Sequence, residues 1–131
     1  MGLDNGICVK RTAVTEKIPE MALFEDDWIR EQKTDYEVCY WRKCWNVRCI
    51  ILDVVSNRFF DSYRILLTVA DVDRIAEALG TLNDENWEDE GSSIWEFDEM
   101  KDNLETQISN LGVLKRLMQE HELEVYFYDS Y

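Results

Sequence analysis

Hydrophobic and polar residues alternate near both ends of the chain, and a period of two is typical of half-buried strands. The first predicted strand covers residues 3–9 and carries three apolar residues on one face: Leu3, Ile7 and Val9. The Asn5-Gly6 pair is expected to interrupt this strand, because Gly, and to a lesser degree Asn, adopts positive φ angles readily. The last strand, at the C-terminus, places Leu123, Val125 and Phe127 on one face.

Between positions 41 and 55 the period becomes helical, which predicts the central core helix. The residues at spacings of three or four are Trp41, Cys44, Trp45, Arg48, Leu52 and Val55. The β-branched run over residues 47–55 also suits a strand, so both interpretations stay open. Residues 12–35 show no clear period and are predicted to be loop, with a short helical piece over residues 22–29.

Three further elements follow along the chain. Residues 62–69 predict a strand, and residues 72–79 predict a helix with Asp71 as N-cap and Gly80 just past its end. Ser93 and Glu96 form a capping-box pattern that predicts the start of a long helix. Its apolar stripe is Phe97, Met100, Leu104, Ile108, Leu111, Leu114 and Met118.

Strands at the beginning, middle and end of the chain, with helices between them, predict a single α+β domain over residues 1–131. We expect a small antiparallel or mixed sheet packed against the central helix and the long C-terminal helix. A chain of 131 residues is long enough to bury a core without a metal or disulfide. No run approaches 18 uninterrupted apolar residues and the N-terminus lacks a secretory signal, so we expect a cytoplasmic protein and no membrane segment.

The four cysteines do not predict a metal site. Three of them, Cys39, Cys44 and Cys49, recur every five residues. On a helix that spacing turns successive thiols by roughly 140°, so they do not gather around one zinc ion. We expect reduced, mostly buried thiols and neither a metal nor a cofactor.

The formal net charge of −14 disfavours direct binding to nucleic acid or to anionic membranes. The charge is uneven, however. Residues 81–110 contain ten acids and one lysine, whereas residues 39–64 contain five bases and two acids. A basic region therefore lies within an acidic protein.

The segment YWRKCWNVR combines three large aromatic residues with three cations. Arginine forms planar hydrogen-bonded contacts with phosphate, lysine supplies a point charge, and aromatic rings stack on a base. The candidate ligand-binding residues are therefore Tyr40, Trp41, Arg42, Lys43, Trp45, Asn46 and Arg48. The alternative is that the two tryptophans are core residues and the bases extend to acidic neighbours such as Asp26 or Asp27. The two interpretations are compatible.

The acidic loop and helix over residues 84–105, called here the acidic stretch, offer a second kind of site. A surface of carboxylates can occupy a groove that normally accepts phosphates. The candidate partner-binding residues are Asp84, Glu85, Trp87, Glu88, Asp89 and Glu90, with Trp87 expected to be exposed. A solvated helix face and loop that keep the protein soluble are the alternative.

Sequence motifs of enzymes are mostly absent. There is no GxSxG, P-loop, GxGxxG, HExxH or CxxC pattern, and His121 is the one histidine. We expect a non-enzymatic protein. A hydrolase that uses clustered carboxylates is a weaker alternative without positive support.

Three segments, MGLDNGI, YWRKCWN and VYFYDSY, resemble a family of small uncharacterised phage and prophage proteins. The resemblance covers most of the chain in order, although residues 12–35 have no counterpart. Many relatives carry an Asn and a His after YWRK. Here Asn46 is present, and Arg48 or Cys49 stands where the imidazole is expected.

The resemblance implies an anti-defence protein in the cytoplasm of a bacterial host. One expected activity is sequestration of a small nucleotide-derived immune signal in the basic and aromatic segment, in a pocket of the kind often formed by a homo-oligomer. The other is inhibition of a defence protein, or of its DNA groove, through the acidic stretch.

Overall fold

A four-stranded antiparallel sheet forms one layer of the computed structural model, which describes residues 4–55, 64–89, 93 and 95–130. The strands are β1 (Asp4–Val9), β2 (Tyr36–Arg42), β3 (Arg64–Leu66) and β4 (Val125–Ser130). Their order across the sheet is β2-β1-β4-β3. The predicted α+β architecture is thereby confirmed, and all pairings between the described strands are antiparallel.

Helices cover one face of this sheet. They are α1 (Asp27–Gln32), α2 (Trp45–Val54), α3 (Val69–Gly80) and α4 (Phe97–Glu120), and two short 3-10 helices, Thr15–Lys17 and Pro19–Phe24, precede α1. The core lies between the helices and alternate strand residues such as Ile7, Val9, Ile65 and Phe127. The opposite face of the sheet, called here the outer face, carries the intervening residues.

The prediction of a helix from residue 41 is wrong at its start. Residues 40–42 belong to β2, and the helix begins only at Trp45. Lys43 has a left-handed backbone with a φ of 54°, which separates strand from helix. Trp41 is buried, but it belongs to the strand. The helical spacing between Trp41 and Trp45 is therefore coincidental.

The physical reason for the late helix start is the pairing of β2 with β1. In this register Asn5 faces Trp41 and Gly6 faces Tyr40. Backbone hydrogen bonds between the two strands hold these residues extended, and a helix there would leave the polar backbone groups of β1 without their partners on that side.

The expected interruption of β1 at Asn5-Gly6 is also wrong, since the strand runs unbroken through both residues. Gly6 is needed there for space rather than for a positive φ angle. A Cβ atom at this position would lie 2.5 Å from Cε1 of Tyr128 and 2.9 Å from the carbonyl oxygen of Cys39. The absence of a side chain at Gly6 therefore allows β2 and the Tyr128 ring to approach β1 closely. Leu3, which the sequence assigns to this strand, lies outside the described residues.

The predicted boundaries of the later elements need correction. Within the predicted strand 62–69, only Arg64–Leu66 pairs as strand, and positions 62 and 63 lie outside the described residues. The N-cap of α3 is Thr68, whose hydroxyl accepts a hydrogen bond from the Asp71 amide, and Gly80 is the last helical residue. The N-cap of α4 is Glu96, not Ser93.

Within the described ranges, no helix has both the length and the apolar character needed to cross a membrane.

Candidate functional site

The described parts of the segments MGLDNGI, YWRKCWN and VYFYDSY meet at one end of the sheet. In the register of β1, Asp4 pairs with Arg42 on one side and with Ser130 on the other. Asn5 lies between Trp41 and Asp129 in the same way. Residues far apart in sequence thus form one surface, and its side chains divide between the two faces of the sheet.

On the helix-facing side, Asn5, Arg48 and Asp129 form a cluster that we call the paired junction. Asn5 Nδ2 donates to Asp129 Oδ1 at 2.6 Å. Arg48 donates to the same carboxylate through Nε and Nη2, each at 2.9 Å from its nearer oxygen. Because Asp129 is only 4% exposed, its charge is compensated by a bidentate partner rather than by water.

Two other predicted ligand-binding residues are buried and hydrogen bonded to the fold. The Trp41 indole donates to Gln107 Oε1 at 2.8 Å. Asn46 is 0% exposed, its amide nitrogen donates to the Trp87 carbonyl, and its amide oxygen accepts from the Val47 amide at 2.9 Å. Both side chains are therefore part of the buried structure and are not exposed to a ligand.

The remaining predicted ligand-binding residues are more accessible. Tyr40 and Arg42 are exposed on the outer face, where the Tyr40 hydroxyl donates to Asp4 Oδ1 at 2.7 Å. This bond to the carboxylate raises the pKa of Tyr40 to about 12. Lys43 is half-buried in the turn, and Trp45 is 40% exposed at the start of α2.

The structure therefore does not bring the three predicted bases together. Arg42 lies on the outer face, whereas Arg48 lies on the helix-facing side and contacts Asp129. The guanidinium carbon of Arg48 also lies 5.5 Å from the centre of the Trp45 ring. The predicted partners Asp26 and Asp27 are elsewhere: Asp26 accepts from the Ile29 amide, and Asp27 lies 3.4 Å from Arg30.

Much of the acidic stretch surrounds a surface cavity of about 300 Å³, which we call the acidic cavity. Its lining residues are Asp84, Glu85, Trp87, Glu88, Glu96, Phe97 and Asp98. Among the residues that the structure describes, none is a cation in salt-bridge contact with the five lining carboxylates. The cavity thus gathers five like charges, none of which is in salt-bridge contact with a described cation.

The predicted partner-binding residues do not all line the same cavity. Asp84, Glu85, Trp87 and Glu88 line the acidic cavity. Asp89 lines a different cavity, between α2 and α3, and Glu90 lies outside the described residues.

The expectation that Trp87 is exposed is wrong, since only 2% of it is accessible. Its ring packs edge-on against Phe97, with the centroids 5.8 Å apart and an interplanar angle of 62°. Its indole nitrogen donates to the Trp95 carbonyl at 2.8 Å. Trp87 therefore anchors the acidic loop to the start of α4.

Sequence reasoning missed Asn5 and Asp129 at the paired junction. It placed Glu96 and Asp98 on the acidic surface over residues 84–105, but it did not count them among the candidate contact residues and assigned Phe97 to the apolar stripe of the long helix. The sheet register that places Asn5 beside Asp129 joins residues 124 positions apart, and no local pattern encodes it. A signal was present for the second group, since the acidic run continues into the first turn of α4.

The buried thiols show the effect of desolvation. Burial, with Glu37 nearby, raises the pKa of Cys8 to about 12. Burial also raises the pKa of the Cys39 and Cys44 thiols above the ordinary value. These three thiols therefore stay protonated near neutral pH. In the described part of the chain, no group of three or more side chains is arranged to hold a metal ion.

The chain matches no protein-family model, no curated protein and no solved structure.

Proposed function

We propose that the chain is a non-enzymatic binding protein that engages a basic surface of a partner protein through the acidic cavity. The observation that carries this proposal is the convergence of five carboxylates, without a described cationic partner, on one cavity of about 300 Å³. Like charges held together repel one another, and a bound lysine or arginine side chain removes that repulsion.

The size of the acidic cavity supports the same class of ligand. A volume of about 300 Å³ lies at the lower end of the range for ligand pockets. That volume admits one or two basic side chains, and the five lining carboxylates favour them over the phosphates of a nucleotide. Phe97 adds apolar surface on which the aliphatic part of such a side chain packs.

The resemblance to phage and prophage proteins supports a biological setting for this binding. In the proposed setting the partner is a bacterial defence protein in the cytoplasm of an infected or lysogenic host. Carboxylates that occupy a phosphate-binding groove exclude nucleic acid from it. The chain then acts as a protein–protein inhibitor or DNA mimic.

A binding measurement with a fluorescent hexa-arginine peptide tests the proposal. The double variant Glu88→Gln/Asp98→Asn neutralises two carboxylates of the acidic cavity. The control, Glu31→Gln/Glu77→Gln, makes the same change in net charge at two positions outside it.

We expect the cavity variant to weaken peptide binding about tenfold, equivalent to about 1.4 kcal/mol, and the control to weaken it less than about threefold. Binding is also expected to weaken as salt is raised. Equal losses in the two variants would show that only net charge attracts the peptide, and they would overturn the proposal.

A nucleotide-derived ligand is a second candidate, because part of the predicted basic and aromatic segment is accessible. Trp45 is 40% exposed, and neither Arg42 nor Lys43 forms a salt bridge with a described residue. In this proposal Trp45 stacks on the base, and the two cations contact phosphate.

Isothermal titration with cyclic nucleotides and ADP-ribose derivatives tests this second candidate. Binding tighter than about 10 μM, lost in Arg42→Ala, is the expected result if it holds; sequestration needs at least about −7 kcal/mol. Absence of such binding across the panel rejects it. No observation in the described residues favours the carboxylate-dependent hydrolase over these two binding functions.

A further inference from the structure

Hydrogen bonds through two tryptophans connect the acidic cavity to the segment between β2 and α2. The Trp95 indole donates to the Arg42 carbonyl at 3.1 Å. The Trp87 indole donates to the Trp95 carbonyl at 2.8 Å. Asn46 Nδ2 in turn donates to the Trp87 carbonyl. We call Asn46, Trp87 and Trp95 the tryptophan clamp.

The tryptophan clamp contacts both walls of the acidic cavity. Trp87 belongs to the loop wall, between Glu85 and Glu88, and Trp95 directly precedes Glu96 on the helix wall. A β-bridge between Cys44 and Ser93 joins the same two parts of the chain. The clamp thus connects each wall to the end of β2 or to the first turn of α2.

The loop wall and the helix wall need such a connection because their like charges tend to push them apart. Five carboxylates repel one another across the cavity, and a charged loop without other contacts tends to extend. Removing one partner of a buried hydrogen bond changes an opening equilibrium by about fivefold to a hundredfold. The clamp bonds therefore favour one conformation of the loop, together with the turn hydrogen bonds of Asn83 and Asn86 and the packing of Trp87 on Phe97.

Asn46 is well placed for this role and poorly placed for direct ligand contact. It is fully buried, and both polar atoms of its amide are engaged, one with Trp87 and one with the Val47 amide. We propose that the tryptophan clamp positions the acidic cavity for a cationic partner, with Asn46 as its main positioning residue. This inference rests on the proposed function and assigns the YWRKCWN segment a role within it.

The substitution Asn46→Asp separates positioning from charge. The variant keeps an oxygen that accepts from the Val47 amide, but it removes the N–H that donates to the Trp87 carbonyl. The ionised carboxylate has no O–H to donate in place of the amide, and it makes the protein one charge more negative. Electrostatic attraction alone therefore predicts tighter hexa-arginine binding, whereas loss of positioning predicts weaker binding.

We expect two results for Asn46→Asp. The dissociation constant for hexa-arginine rises about three- to tenfold, and the amides of residues 84–89 exchange with solvent about tenfold faster by NMR. The amides of β1 and β4 keep their protection. Trp95→Phe, which removes one indole N–H at a partly exposed position, is expected to give the same pattern with smaller changes.

Unchanged exchange at residues 84–89 in both variants would overturn the clamp, and unchanged or tighter peptide binding in Asn46→Asp would overturn its role in positioning. If the amides of Asn46→Asp lose protection throughout the chain, the variant is unfolded. The test then rests on Trp95→Phe, measured by hexa-arginine binding and by amide exchange at residues 84–89. Failure of the unaltered protein to bind hexa-arginine overturns the proposed function, and with it the positioning role. The exchange result still decides whether the clamp holds the loop.

Discussion

The paired junction and the acidic cavity place carboxylates in opposite surroundings. At the junction, Asp129 is buried and contacts both Arg48 and Asn5. At the cavity, five carboxylates share one space without a described cationic partner. Removal of one partner from a buried, compensated pair destabilises the fold, whereas uncompensated charges of one sign oppose folding and attract an external cation. The difference indicates a structural role for the first region and a binding role for the second.

The largest expected effect is the loss of the junction carboxylate. Asp129→Ala leaves the Arg48 charge without its bidentate partner, and we expect the free energy of unfolding to fall by about 3–5 kcal/mol. Urea denaturation measures the change. The matched control is Asp73→Ala, which removes an exposed ion pair with Lys115 and should cost less than about 1 kcal/mol. Equal costs in the two variants would contradict the structural role of the junction.

A second effect concerns the close packing beside the junction. Gly6→Ala places a Cβ atom against Tyr128 and the Cys39 carbonyl, and we expect a loss of about 1–3 kcal/mol. Gly112→Ala is the control, because nothing lies within 4 Å of a Cβ there, and the change should stabilise α4 by about 0.5–1 kcal/mol. We expect Gly6→Ala to lower the melting temperature and Gly112→Ala to raise it.

Removing charge from the cavity should change the free energy of unfolding in the opposite direction from removing charge at the junction. Glu85→Gln/Glu88→Gln relieves repulsion on the loop wall and leaves Asp98, which the helix dipole favours in the first turn of α4. We therefore expect the free energy of unfolding to stay the same or to rise by a few tenths of a kcal/mol. The gain should shrink in high salt, which screens the repulsion. A clear loss of stability in urea denaturation would show that these carboxylates have stabilising contacts.

Another small effect is a pH dependence on the outer face. The folded pKa of Tyr40, about 12, lies above the ordinary value of about 10, so the Asp4 bond contributes stability below pH 10 that is lost as the pH rises towards 12. Because Tyr40 is exposed, we expect this contribution to be under about 1 kcal/mol. Tyr40→Phe removes it, and the stability difference between the two proteins should vanish over that pH range.

The sequence predicts the fold class and the long helix well, because strong periodicity and capping patterns are local. It fails at the boundary between β2 and α2, where Trp41 and Trp45 have helical spacing but belong to different elements. Trp87 illustrates a second limit. Its acidic neighbours indicate exposure. In the structure its ring packs against Phe97, and its indole N–H donates to the Trp95 carbonyl.

The candidate site was predictable only in part. Composition identifies the acidic residues of the cavity, and the local pattern identifies the cluster of bases. The pairing of Arg48 with Asp129 depends on the sheet and α2 together, across 81 positions. Tertiary contacts of this kind decide which charges are compensated, and therefore which region is left to bind a partner.

Titration of one protein preparation with two ligands of opposite charge tests the central claim most directly. Hexa-arginine and the nucleotide panel are each titrated into the unaltered protein, into Glu88→Gln/Asp98→Asn and into Arg42→Ala. We expect hexa-arginine binding that weakens about tenfold only in the cavity variant, and no nucleotide binding tighter than about 10 μM. Nucleotide binding that is lost in Arg42→Ala, with hexa-arginine binding unaffected by the cavity variant, would contradict the account.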